Sequence, residues 1–205
     1  VCDNTTVNLY KILTYAWQSR KSGSTILTED GNFPTDLYVA QGLNRNHPDP
    51  PEVKVCKSRD ELIDSFNTDT AIVYLSHADY RSGECWNMAD INDRAHAIDA
   101  LTVWDLSHST GAIPVDLTGD DADFAVGCGY KYLSAGPGGS AYLWVNPRHA
   151  ENGWPTICGW MGHQDVFAFA TEYEPLSGAG RHATGTPAVI ANEIFSCAAQ
   201  IWQEV

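Results

Sequence analysis

Apolar residues recur along this chain in two rhythms. Leu9, Ile12, Leu13, Ala16 and Trp17 are spaced by three and four, which predicts a helix over Leu9–Trp17. Five short apolar runs predict strands: Thr25–Thr28, Ala71–Leu75, Leu101–Trp104, Asp123–Gly127 and Tyr142–Val145. The run at Ala71–Leu75 has no polar alternation and reads as a strand buried on both faces. Gly31–Asp36 reads as a turn feeding a short helix over Leu37–Ala40, and the Asn- and Pro-rich stretch from Asn44 to Pro51 reads as loop. Ser58 and Glu61 have capping-box spacing and open a further helix. Asn87–Ala100 and Ala188–Trp202 carry amphipathic helical patterns. Strands alternating with helices predict an α/β domain with a mixed, mostly parallel sheet flanked by helices.

Composition narrows the function classes. With 205 residues, 43% hydrophobic and 19% charged, the chain suits one domain with a sizeable core. A net charge of −14 argues against a nucleic-acid or anionic-membrane surface, because both need clustered Lys and Arg. Six cysteines are scattered without zinc-site or disulfide-framework spacing, and are expected to be reduced, mostly buried, cytosolic thiols. No stretch reads as a signal peptide or a transmembrane span, so the expected location is the cytoplasm.

Two predicted strands end near groups that carry chemistry. Asp105 closes the run at Leu101–Trp104, and Tyr130-Lys131 follows the run at Asp123–Gly127. Ligands of open α/β sheets bind at the carboxyl ends of strands. A carboxylate and a lysine so placed match the needs of pyridoxal phosphate (PLP): the acid keeps the pyridine nitrogen protonated and the amine attaches the cofactor covalently. The same two residues are equally readable as a turn-capping acid and a solvated lysine. Asn4, Thr5 and Thr6 precede the first helical pattern, where they can cap the helix or bind a phosphate. Phe33 can pack under the helix that Thr35 or Asp36 caps. His77-Ala78-Asp79 lacks a third ligand at metal-site spacing.

The stretch WDLSHSTGAIPVDL, followed by DFAVGCGYKYLSAGPGG, resembles the core of kynureninases, PLP enzymes of the aspartate aminotransferase fold type. The likeness runs through nearly all 205 residues. It implies that residues 1–205 are a PLP-binding large domain, without the small C-terminal domain whose arginine clamps the substrate carboxylate. By that resemblance Thr5 and Thr6 hold the cofactor phosphate, while Phe33 stacks on the pyridine ring beside Pro34, Thr35 and Asp36. Ser76 contacts the cofactor, Asp105 pairs with the pyridinium, and His108 supports that contact. Tyr130 binds phosphate and acts as acid or base, while Lys131 attaches the cofactor and moves the substrate α-proton. Trp160 and Thr186 reach the phosphate of a neighbouring subunit, which implies a homodimer with a shared site. The implied reaction is hydrolysis of the Cβ–Cγ bond of L-kynurenine or 3-hydroxykynurenine to an anthranilate and L-alanine, in tryptophan catabolism. A cysteine desulfurase-like lyase and a non-catalytic PLP-binding core are the alternatives.

Overall fold

The computed structural model describes residues 1–202. At its centre, strand β3 (Thr70–Ser76) is buried along its whole length, and its alternating side chains serve two separate cores. Ile72 and Tyr74 join one cluster, and Val73 and Leu75 join the other. The first cluster is closed by α1 (Thr5–Ser19) through Leu9, Ile12, Leu13 and Trp17, and by α2 (Pro34–Asn46) through Val39, Ala40 and Leu43. The second is closed by α3 (Arg59–Asp64) through Leu62 and by α4 (Met88–His96) through Met88, Ile91 and Ala95. Helices therefore cover both faces, as burial of a continuous apolar strand demands.

The sheet has the order β2-β1-β3-β4-β5-β6, with β1 (Thr25–Glu29), β2 (Glu52–Cys56), β4 (Leu101–Asp105), β5 (Phe124–Cys128) and β6 (Ala141–Val145). All neighbours are parallel except β6, which runs antiparallel to β5. The parallel strands β1, β3, β4 and β5 thus deliver their carboxyl ends to one edge. The order reverses between β1 and β3, which makes that point the switch where such folds bind ligands. The C-terminal α5 (Val189–Trp202) sets Phe195 against Gly129, where a Cβ would come within 2.3 Å of the ring.

Four expectations are corrected. Strand β2 was not predicted; it is an edge strand with only Cys56 fully buried, so it carries no continuous apolar run. The helix expected at Leu37–Ala40 spans Pro34–Asn46, because Val39, Ala40 and Leu43 keep the helical spacing up to the expected loop and its last turn takes in Asn44–Asn46. The helix expected over Asn87–Ala100 uses Asn87 as its cap and ends at His96, ahead of Asp99 in left-handed geometry (φ 61). Of the six thiols only Cys56 and Cys128 are buried, while Cys85, Cys158 and Cys197 sit on exposed positions. No helix among the described residues is long and apolar enough to cross a membrane.

Candidate active site

The site begins with Asn32, one residue before Phe33. Its amide nitrogen donates to Thr28 Oγ1 (3.1 Å) and to the Tyr74 carbonyl (3.4 Å), while its Oδ1 accepts from the Ser76 N–H (2.9 Å). The wholly buried amide thereby stitches the ends of β1 and β3 at the switch point. Ser76 and Asp105 close β3 and β4 in register. Ser76 Oγ donates to Asp36 Oδ2 (2.9 Å), bringing the first turn of α2 over the strand ends.

A cavity of about 150 Å³ opens above this floor. Thr5 and Thr6 line it from the start of α1, and Phe33, Thr35 and Asp36 from the β1–α2 junction. Asp105, Tyr130 and Lys131 line it from the ends of β4 and β5. Asn4 caps α1 by accepting from the Val7 N–H (3.0 Å), which places Thr5 and Thr6 as the first helical residues. Their backbone N–H groups, free of intrahelical partners by position, face the cavity end of the helix with its positive dipole.

Lys131 sits three residues beyond β5, in a tight loop closed by the Ser134 N–H on the Lys131 carbonyl (3.0 Å) and the Ala135 N–H on the Gly129 carbonyl (2.8 Å). Its Nζ lies 2.8 Å from His108 Nε2 and 5.2 Å from the Phe33 ring centre. Phe33 meets Tyr80 edge-on at 5.3 Å, and Tyr80 in turn lies 6.1 Å from the His108 ring. Burial, reinforced by the Lys131 charge, pushes His108 below the ordinary imidazole value. The ring is therefore neutral near pH 7 and can accept a proton from the ammonium.

The two buried acids differ. Burial pushes Asp36 well above the usual carboxylate range, and the nearby Asp105 charge pushes it further. Burial raises Asp105 as well, but the Ser107 hydroxyl and N–H, His108 and Lys131 all favour its ionised form. Of such a pair one carboxyl holds the proton and the other carries the charge, and the balance of neighbours assigns the charge to Asp105. Tyr74, wholly enclosed, is held protonated by burial and by both acids. Burial also raises Tyr130.

Eight of the residues singled out from sequence line the cavity together: Thr5, Thr6, Phe33, Thr35, Asp36, Asp105, Tyr130 and Lys131. Pro34 is the first residue of α2 and orients that turn. Ser76 contributes differently from expectation: its hydroxyl is committed to Asp36 and does not line the cavity. His108 bonds Lys131 rather than supporting Asp105 by a direct hydrogen bond. The glycine-rich turn at Gly136–Gly139 does not line the cavity; it is closed by the Gly139 N–H on the Gly136 carbonyl (3.0 Å), with Gly136 and Gly138 at positive φ. Trp160 and Thr186 line two other cavities, of about 310 and 290 Å³, away from Lys131. Sequence reasoning missed Asn32, Leu9 and Ser107. Leu9 was legible as one helical turn from Thr5, whereas Asn32 and Ser107 look like ordinary turn residues.

The family model described as aminotransferase class-V matches residues 3–205. The chain belongs to the aminotransferase class-V family. Among relatives of this class-V chain, the kynureninase of Deinococcus radiodurans is 45% identical over 206 residues, covering 100% of this chain and 49% of that protein. The kynureninase of Pseudomonas fluorescens is 38% identical over 208 residues, covering 100% and 50%. The chain spans about half the length of the curated relatives it matches. Solved structures share the fold. A C-DES variant with glycine covalently linked to its PLP cofactor superposes with a TM-score of 0.81 at 19% identity, over 99% of this chain and 55% of that one. The Escherichia coli cysteine desulfurase CsdA superposes at 0.75 with 24% identity, over 98% and 51%.

These relationships indicate pyridoxal phosphate as the cofactor of this class-V chain, and the residues present fit it. A hydroxyl on the cavity wall, Thr5 Oγ1, is buried without a hydrogen-bond partner among the described residues. A helix N-terminus, a charged buried acid, a flat aromatic and an amine converge on the same space, one for each part of a phosphorylated, basic, aromatic aldehyde.

Proposed function

We propose that this class-V chain is the cofactor-holding part of a kynureninase-type hydrolase. The reaction takes L-kynurenine, or its 3-hydroxy relative, and water to an anthranilate and L-alanine. The observation that carries the reading is the convergence of Lys131, ionised Asp105 and the α1 N-terminus on one cavity, in a chain 36–45% identical to kynureninases along its whole length. Likeness to cysteine-cleaving enzymes is confined to the shared fold at 24% identity or less, and does not favour their chemistry.

PLP, once bound, supplies an electron sink that lets bonds to the substrate α-carbon and Cβ break heterolytically. The chain's residues prepare and use it. Thr5 and Thr6, with their free backbone N–H groups, and the Tyr130 hydroxyl hold the phosphate. Phe33 packs its face on the pyridine ring, and Asp105, itself buried, keeps the ring nitrogen protonated by charge pairing. Lys131 reaches the aldehyde carbon only after losing a proton, and neutral His108 at 2.8 Å is the acceptor. The freed Lys131 amine then serves as the base that moves the substrate α-proton. Because burial raises Tyr130, its phenol stays protonated and acts as an acid toward the side-chain carbonyl rather than as a base. Trp160 and Thr186, remote from their own chain's cavity, are assigned to a second copy's phosphate in a homodimer.

Borohydride treatment of the PLP-loaded chain should trap the cofactor on Lys131, and adding kynurenine should release fluorescent anthranilate. Trapping without anthranilate, and with sulfide released from cysteine, would replace the hydrolase reading by a lyase. Trapping without either product would leave a cofactor-binding core.

A further inference from the structure

Phe33, Tyr80 and His108 form a closed triangle of rings, with centres 5.3 Å apart for Phe33 and Tyr80 and 6.1 Å apart for the other two pairs. Two corners stand next to the lysine, since Lys131 Nζ lies 2.8 Å from His108 Nε2 and 5.2 Å from the Phe33 ring centre. The third, Tyr80, is one ring further out. It belongs to neither core cluster, does not line the Lys131 cavity, and is 41% exposed. The loop that carries it is held without help from the ring. Asp79 Oδ1 accepts from the Arg81 and Ser82 N–H groups (2.6 and 3.0 Å), the Gly83 N–H donates to the Asp79 carbonyl (2.9 Å), and Ala78 bridges Cys85. Arg81 pairs with Asp79 (3.4 Å) and lays its guanidinium over the Tyr80 ring at 5.3 Å. A large aromatic is thus kept in a fixed place beside the site with much of its surface unburied, which neither loop stability nor core packing requires.

We propose that Tyr80 is a specificity residue whose ring packs against the aryl group of an aryl-ketone amino acid, an inference that rests on the kynureninase-type reading of the site. In that reading the cofactor occupies the cavity of about 150 Å³, and the substrate joins it where the Lys131 amine stands. The substrate side chain then leaves the cavity past Phe33 and His108, and Tyr80 is the next surface on that path. An aryl ring laid on this rim gains apolar burial and edge-to-face contact, which a short aliphatic side chain does not.

The two products of the proposed reaction divide the substrate into its halves, so they serve as probes. Anthranilate, followed by its own fluorescence, reports the aryl half; L-alanine, followed by its effect on PLP absorbance, reports the amino-acid half. In the PLP-loaded chain Tyr80→Leu should weaken anthranilate about tenfold, the worth of one lost aromatic contact with its buried area. Its L-alanine affinity, PLP affinity and melting temperature should match those of the unaltered chain. Tyr80→Phe keeps the ring and should bind anthranilate as the unaltered chain does. Unchanged anthranilate affinity in Tyr80→Leu would overturn the proposal and leave the kynureninase-type reading intact. Equal weakening of anthranilate and L-alanine would also overturn it, by showing that Tyr80 only shapes the site. An unaltered chain that binds PLP and L-alanine but neither anthranilate nor kynurenine would remove the proposal and that reading together.

Discussion

The Lys131 amine lies 2.8 Å from Nε2 of His108, a ring that burial and the lysine's own charge keep neutral. Lysine nucleophilicity at neutral pH depends on shedding a proton, and the acceptor is already in hydrogen-bond range. His108→Ala should therefore slow formation of the borohydride-trappable linkage at pH 7 by about 10²-fold, the usual worth of a positioned base. Raising the pH should restore the rate. An identical rate and pH profile in the variant would show that His108 only packs against the lysine.

Lys131→Ala should abolish covalent attachment while PLP is still held through Thr5, Thr6 and Tyr130. Peptide mapping after borohydride reduction checks the assignment. A label on Lys11, Lys21, Lys54 or Lys57 would place the cofactor elsewhere.

The two acids should respond oppositely to the same isosteric change. Asp105 carries the charge, so Asp105→Asn should leave PLP bound but lower turnover by about 10²-fold or more, as expected for removing charge stabilisation from a buried site. Asp36 holds a proton and accepts from Ser76 Oγ, so an amide resembles its native state. Asp36→Asn should stay within about 1 kcal/mol of the unaltered chain in stability, whereas Asp36→Ala should cost about 1–3 kcal/mol by stranding the Ser76 hydroxyl. Full turnover in Asp105→Asn with PLP bound would end the assignment.

His182 offers a test of the fold rather than the chemistry. Its ring is buried against Tyr15 with neither nitrogen hydrogen-bonded, and burial lowers its pKa from 6.5 to about 4. A base depressed by folding is protonated first in the unfolded chain. Its share of stability is thus present above pH 6.5 and is lost as the pH falls toward 4, by up to about 3 kcal/mol. His182→Phe should flatten the stability profile between those limits, relative to the unaltered chain. Parallel profiles would refute the assignment.

A site shared between two copies, as proposed through Trp160 and Thr186, links cofactor affinity to protein concentration by mass action. PLP titrations across a dilution series, with light scattering, should show affinity falling as dimers dissociate. A monomer that binds PLP equally well at every concentration would rule out the arrangement.

The sequence carried most of the cavity wall because its residues occupy strand ends and a helix start, both marked by local pattern. Asp105 follows a four-residue apolar run, and Thr5 opens a helix whose apolar stripe is unbroken. What escaped was relational. Nothing in the string links Ser76 to Asp36 or His108 to Lys131, since each pairing depends on neighbouring strands and loops lying side by side. The edge strand β2 escaped for another reason: at the sheet edge, with Glu52, Lys54 and Val55 exposed, it lacks the apolar density that betrays buried strands.

The amide of Asn32 closes β1 against β3, and Ser76 then fastens α2 above them. The cavity consequently has no local version: its walls come from near residues 5, 33, 105 and 131, and its floor from strand ends that meet only when the central strands have aligned. Cofactor capture is in this sense an assembly checkpoint. The colour of lysine-bound PLP, followed during refolding, would time the completion of the central sheet and lag behind the helix signal of α1.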